Sequence, residues 1–309
     1  MSDAPLYRRL ALVGVGLIGS SIALAARRAG LAGEIAVFTP REDERAIAIS
    51  RQLADEYPLS LALCVAGADL VILATPVGAF GEIAVVIAPH LAPGATLTDV
   101  GSVKECAVRD ITPHVPSGVH FIPGHPIAST AQSGPAAGCA KVFDGRWCIL
   151  TPLPGADETA LDRLKAFWFG LGSQVEIMSA ARHDLVLAIT SHVPHLIAFN
   201  IVATAADLET ITSSEVIKFS AGGFRDFTRL AASDPVMWRD VFLNNRDAVL
   251  EILGRFNEDL AALQRAIRWG DGAQLHEVFT RARATRRKVI EAGQETPEPD
   301  FGRPHGEGG

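Results

Sequence analysis

Three short stretches hold most of the side chains in this 309-residue chain that are able to do chemistry. The first is GHPIASTAQSG (124–134), where Gly124 and Pro126 bracket His125 and are followed by Ser129, Thr130, Gln132 and Ser133. A neutral imidazole, titrating near pH 6.5, suits the removal of a hydroxyl proton while hydride leaves the same carbon. The short polar side chains beside it suit an anionic ligand, and the plainer alternative is a histidine that only ties down its own loop. The second stretch, SHVPH (191–195), sets His192 and His195 three positions apart. That spacing fits a metal pair, two packed core histidines bonded to backbone carbonyls, or two groups lining a cleft. There is no H-E-x-x-H pattern and no third ligand nearby, so a metal site is not expected. The reading preferred here is that Pro194 distorts its helix and both histidines face the cleft between two domains, lining cofactor and substrate pockets. The third stretch, GGFRDFTRLAASDPVMWR (222–239), carries Arg225, Asp226 and Arg229. Arg225 and Arg229 share one face if the segment is helical. A guanidinium fork is the natural partner of a substrate carboxylate, and Asp226 is placed to orient either arginine. Surface ion pairing of both arginines is the competing reading.

These groups need a scaffold, and the first element of one is LALVG (10–14) followed by a G-x-G-x-x-G turn, Gly14-Val15-Gly16-Leu17-Ile18-Gly19. Gly14 serves the tight turn, Gly16 the close approach of a pyrophosphate, and Gly19 the packing of helix on strand. Unpaired N–H groups at the helix start, around Leu17 and Ile18, meet the phosphates. An NAD site expects an acid at the end of the second strand, where this chain reads Thr39-Pro40-Arg41. Arg41 suits a 2′-phosphate, which favours NADP slightly, whereas Glu42 and Asp43 keep NAD open and Arg41 is equally well a solvated residue at a helix start. Thr75 and Pro76, after the strand DLVILATP (69–76), line the expected nicotinamide path. Ser102 in DVGSVKE (99–105) suits a bond to cofactor or substrate and equally a helix cap.

Strands at 10–14, 34–39, 69–76, 95–102, 119–126 and 147–152 alternate with helical stretches, which predicts a mostly parallel, doubly wound Rossmann-type α/β domain over 1–178. From 179 to 293 helical periodicity takes over, with Val249, Ile252, Leu253, Phe256, Leu260 and Leu263 forming one stripe. An all-α domain for substrate binding and homodimerisation is expected there, followed by a disordered tail over 294–309 rich in Pro, Gly and charge. With 28 Lys plus Arg against 35 Asp plus Glu, the net charge of −7 and the lack of basic runs argue against nucleic acid as a partner. Four scattered cysteines form no disulfide or zinc pattern and fit a reducing cytoplasm. Arg8-Arg9 and the apolar run after them imitate a signal peptide, but the spaced glycines argue for the strand and helix instead. No other segment is expected to span a membrane.

The combination of G-x-G-L-I-G, GHPIAST, SHVPHLIAF and GGFRDFTRLAASDPVMWRD resembles the prephenate/arogenate (cyclohexadienyl) dehydrogenase family over residues 10–290. The resemblance implies an NAD(P)-dependent oxidative decarboxylation that requires no metal. It places the family's catalytic histidine on His125, its substrate-carboxylate arginine on Arg229 and its loop serine on Ser102. The S-H-x-P-H residues fall on Ser191, His192 and His195, the acid of an ionic network on Asp226, and the M-W-R-D aromatic on Trp238. The chain departs from G-H-P-x-A-G-T-E-K-S-G at Ser129, Ala131 and Gln132, which bears on substrate preference. Two rival readings are a β-hydroxyacid or 6-phosphogluconate-type dehydrogenase and a non-catalytic dinucleotide sensor. The first expects a motif-borne lysine base, and Lys218 is the only lysine between 180 and 287. The second gives no reason for His125, the histidine pair and Arg229 to occur together.

Overall fold

The computed structural model describes residues 4–128, 133–212, 218 and 222–291. Strands β1 (Tyr7–Val13), β2 (Ala32–Phe38), β3 (Leu70–Leu73), β4 (Thr96–Asp99) and β5 (His120–Phe121) form one parallel sheet in the order β2-β1-β3-β4-β5. Leu10, Ala11, Leu12 and the whole of β3 are buried. Uninterrupted apolar strands of this kind are what a sheet covered on both faces requires. The chain runs from β1 to β2 on one side and then returns to place β3 on the other side of β1. The crevice between the carboxyl ends of β1 and β3 is therefore the topological switch point, where open α/β sheets bind their ligands. The apolar run after Arg8-Arg9 folds as β1 and the helix Leu17–Arg28.

The expected fifth strand, 119–126, divides. Pro123 has no N–H to give to a ladder, and the chain leaves the first sheet after Ile122. It resumes as β6 (Gly124–Pro126) in a second sheet with β7 (Trp147–Leu150) and β8 (Gln174–Ile177). β6 runs antiparallel to β7, with His125 opposite Ile149, and β7 runs parallel to β8. His125 thus lies inside a short strand and not on a free loop.

The described chain forms two compact units. The first comprises residues up to Pro194 together with Ala232–Val249, and the second His195–Ala231 with the chain from Leu250 onward. Helix Ala180–Leu187 buries His183, Asp184 and Leu187 in the first unit, and helix Pro235–Asn244 buries Trp238 and Val241 there. The second unit holds the long helices Arg246–Trp269 and Gly272–Glu291 over most of their length. The helical stretch Ala180–Leu208 is, among the described residues, long and apolar enough by length and composition to cross a membrane, contrary to the expectation from sequence. Within it His183, Asp184 and His192 are buried against protein groups. Residues 294–309 lie outside the described ones.

Candidate active site

The glycine turn has the geometry that a dinucleotide site needs. Gly14 adopts φ +103°, and a Cβ there would lie 2.4 Å from the Ala74 carbonyl oxygen, so the turn from β1 seats directly on the end of β3. A Cβ on Gly19 would lie 2.2 Å from the Gly14 carbonyl oxygen, which fixes a close approach of helix to turn. Around Gly16 the space is open. Gly16 occupies the N-cap of helix Leu17–Arg28 without a side-chain cap, leaving the helix-start N–H groups of Leu17 and Ile18 for an anion. The Thr75 hydroxyl, at the same crevice, is buried with no hydrogen-bond partner among the described residues. These residues fit a pyrophosphate and its adjoining ribose.

At the end of β2 Thr39 donates to Glu44 Oε2 at 2.7 Å, and Arg41 pairs with Asp43 at 2.8 Å and Glu44 at 3.4 Å. A carboxylate therefore does stand at this strand end, although Thr39-Pro40-Arg41 itself contains none and the acid is neither Glu42 nor Asp43 but Glu44. The helix beginning at Glu42 carries Glu44 back over Thr39.

His125 stands half-buried at the start of the second sheet, held from two sides. Its neighbour Gly124 accepts from Lys104 Nζ at 2.7 Å and donates to Asp99 Oδ1 at 3.3 Å. Lys104 and Asp99 are themselves fully buried and paired. A Cβ on Gly124 would lie 3.1 Å from both the Asp99 carbonyl oxygen and Leu150 Cδ2, a tight fit that marks how closely β6 passes the end of β4. The ring of His125 is fixed by a second chain of bonds. Nδ1 of His125 lies 2.8 Å from Nε2 of His183, and Nδ1 of His183 lies 2.7 Å from Asp184 Oδ1. The Asp184 carboxylate also accepts from the backbone N–H groups of Lys104 at 2.7 Å and Glu105 at 2.9 Å, capping helix Lys104–Ile111. Burial, reinforced by the nearby Lys104 charge, lowers the pKa of His183 to about 2. Burial and the neighbouring His183 push that of His125 well below its ordinary value. Both imidazoles are neutral in the folded protein.

Two family models match successive parts of the chain. "Prephenate dehydrogenase, nucleotide-binding domain" covers residues 22–177, and "Prephenate dehydrogenase, dimerization domain" covers 179–281. The cyclohexadienyl dehydrogenase of Zymomonas mobilis is 36% identical over 280 residues, covering 91% of this chain and 95% of that protein. This chain belongs to the prephenate dehydrogenase family. The prephenate dehydrogenase of Bacillus subtilis is 34% identical, over 88% of this chain and 73% of its own length. The structure of the Aquifex aeolicus prephenate dehydrogenase in complex with hydroxyphenyl propionate and NAD+ superposes with TM-score 0.85 at 34% identity, over 91% of this chain and 98% of that one. Synechocystis arogenate dehydrogenase follows with TM-score 0.75 at 28% identity, over 91% and 99% of the two chains.

The other residues that suggested this family from sequence are placed as follows. Ser102 is not the cap of its helix. Val103 holds the N-cap position and the Asp184 carboxylate does the capping, which leaves the Ser102 hydroxyl free of that task. His192 is fully buried in the first unit, 2.9 Å from the Asn245 amide and edge-on to Trp238 at 6.0 Å. The helix passes through a π turn at Ala188–His192 immediately before Pro194, the expected distortion. Trp238, buried against His192 and Phe242, is a wall behind the histidine. His195 falls across the unit boundary, in the second unit, and is half-buried. There Arg225 lies 3.7 Å from Asp226 in helix Gly222–Thr228. Arg229 begins a separate 3-10 turn, so the two arginines do not continue along one α-helical face as expected. Pro76 is exposed beside Thr75. Ser129, Thr130 and Gln132 lie outside the described residues.

Four groups that hold His125 were missed in the sequence: Asp99, Lys104, His183 and Asp184. The His-Asp dipeptide inside the apolar run ARHDLVLAI is the one local signal that marked two of them, since an ionisable pair in such a run needs a buried partner.

Proposed function

We propose that the protein oxidatively decarboxylates prephenate, arogenate or both, giving 4-hydroxyphenylpyruvate or tyrosine. The observation that carries this reading is a neutral His125 held by one ring nitrogen, in a chain that also has a glycine turn built for a dinucleotide and belongs to the prephenate dehydrogenase family. A nicotinamide dinucleotide bound at Gly14, Gly16, Leu17, Ile18 and Gly19, with Thr75 and Pro76 beyond, supplies the hydride acceptor. His125 takes the proton of the ring hydroxyl through Nε2 as the carbinol carbon loses hydride. The ring carboxylate departs as carbon dioxide, its bonding electrons aromatise the ring, and the overall step becomes effectively irreversible. Arg229 binds a substrate carboxylate, with Arg225 and Asp226 near it in the chain, and Ser102 and His195 are each assigned a polar contact with substrate or cofactor. A charge-assisted guanidinium bond is worth roughly twice a neutral one.

For the cofactor, the bond between Thr39 and Glu44 and the commitment of Arg41 to Asp43 and Glu44 support NAD over the NADP preference that Arg41 alone suggests. A carboxylate at the end of β2 suits a free ribose diol and repels a 2′-phosphate. The second unit serves a homodimer in this reading. The test is nicotinamide reduction by the purified protein with prephenate or arogenate against NAD or NADP. Reduction with NAD is expected with at least one substrate. Silence in all four combinations, with dinucleotide binding intact, defeats the substrate assignment, and reduction with NADP alone defeats the reading of Glu44.

A further inference from the structure

We propose that His183 and Asp184 are positioning residues that set the tautomer of His125, so that its Nε2 carries the lone pair and serves as the base. This rests on the reading of His125 as the proton acceptor and goes beyond it. Asp184 Oδ1 and Oδ2 meet three donors: the N–H groups of Lys104 and Glu105 and the ring of His183. A carboxylate so surrounded only accepts. His183 therefore bears its hydrogen on Nδ1, and because the ring is neutral its Nε2 has only a lone pair to offer. Across the 2.8 Å to His125, the hydrogen must then belong to His125 Nδ1. Of the two neutral forms of His125, this chain of bonds selects the one whose Nε2 accepts a proton. When that proton arrives, the imidazolium charge is met through His183 by Asp184 and not by bulk water, the logic by which an orienting carboxylate supports a histidine base. The pair is buried, at 0% and 1% exposure, so neither bond competes with solvent.

Other titratable groups near His125 do not supply this polarity. Lys104 is committed to Asp99 and the Gly124 carbonyl oxygen. His192 bonds Asn245. Burial pushes the Cys148 thiol up, so it stays protonated.

The experiment uses full-length protein labelled with 15N-histidine and two-bond 1H–15N correlation, with the His125 signal identified by its loss in His125→Asn. Wild-type protein is expected to show His125 as the Nδ1–H form. In His183→Phe, which offers no acceptor, that form is expected to give way, with turnover falling about 10- to 100-fold at unchanged dinucleotide affinity. His183→Gln, whose amide oxygen restores an acceptor, is expected to recover part of both. An Nε2–H tautomer in the wild type overturns the proposal without any variant having to fold. Turnover in His183→Phe within about twofold of wild type, or a loss of turnover with the tautomer unmoved, also overturns it. Full activity in His125→Asn instead removes the base assignment itself, so the two failures are distinct.

Discussion

At the scale of single residues, the proposed chemistry depends on a histidine that the fold keeps neutral without burying it completely. His125 sits half-buried with one nitrogen occupied, and burial disfavours its charged form. Because its folded pKa lies well below the ordinary value of about 6.5, the imidazole is unprotonated throughout the neutral range, as the proposed base must be. The acid limb of kcat/KM is therefore expected below pH 6.5, as a pH–rate profile will show. Replacing the ring removes the acceptor but leaves the glycine turn untouched. His125→Asn is expected to lower turnover by roughly 10²- to 10⁴-fold, with dinucleotide affinity, measured by fluorescence titration, unchanged.

At the scale of elements, one buried cluster joins the end of β4, the start of β6 and two helices. Lys104 and Asp99 pin Gly124, and Asp184 caps the helix that begins at Lys104. Removing one member of such a pair leaves the other as an uncompensated buried charge. Lys104→Met is thus expected to cost about 3–5 kcal/mol in unfolding free energy, and a double replacement with Asp99→Leu to recover much of it. Chemical denaturation of the two variants checks this. The same cluster sets the acid stability. The unfolded chain takes a proton on His183 near pH 6.5, whereas the folded chain does not until about pH 2. Between these values the unfolded state binds the additional proton, so stability falls as pH falls, by up to about 1.4 kcal/mol per pH unit from this group. His183→Phe is expected to flatten the dependence of unfolding free energy on pH below 6.5 by one proton. An unchanged slope would show that His183 is protonated in the fold.

At the scale of the whole molecule, the second unit leaves an unusual amount of apolar surface uncovered. Trp269 is 73% exposed, Ile267 68%, Phe279 57% and Leu260 52%. The last three border one apolar hollow between helices Arg246–Trp269 and Gly272–Glu291. In the proposed homodimer this is the face expected to be covered. Light scattering is expected to give a dimer mass for the wild type. Ile267→Asp with Phe279→Asp is expected to shift that mass towards the monomer at micromolar concentration, and a dimer unaffected by both changes places the interface elsewhere.

The sequence by itself determined the parts whose cause is local. A strand, a turn with glycines at fixed offsets and a following helix are specified by neighbouring residues, so Gly14, Gly16 and Gly19 were legible, as was the change from alternating strands to long helices. His125 was legible because its loop pattern and family motifs are contiguous. The tertiary structure alone decided what acts on these residues across the chain. Asp184 is 59 positions from His125 and reaches it only through His183, whose hydrogen bond to His125 spans 58 residues. Glu44 reaches Thr39 by the turn of a helix, and Asp184 takes the cap that local sequence offered to Ser102. Pro123 broke the fifth strand, and with it the single parallel sheet, because a ladder needs an N–H that proline lacks. A hydrogen bond is a fact of distance and angle, and these distances were set by packing, which no spacing along the chain encodes.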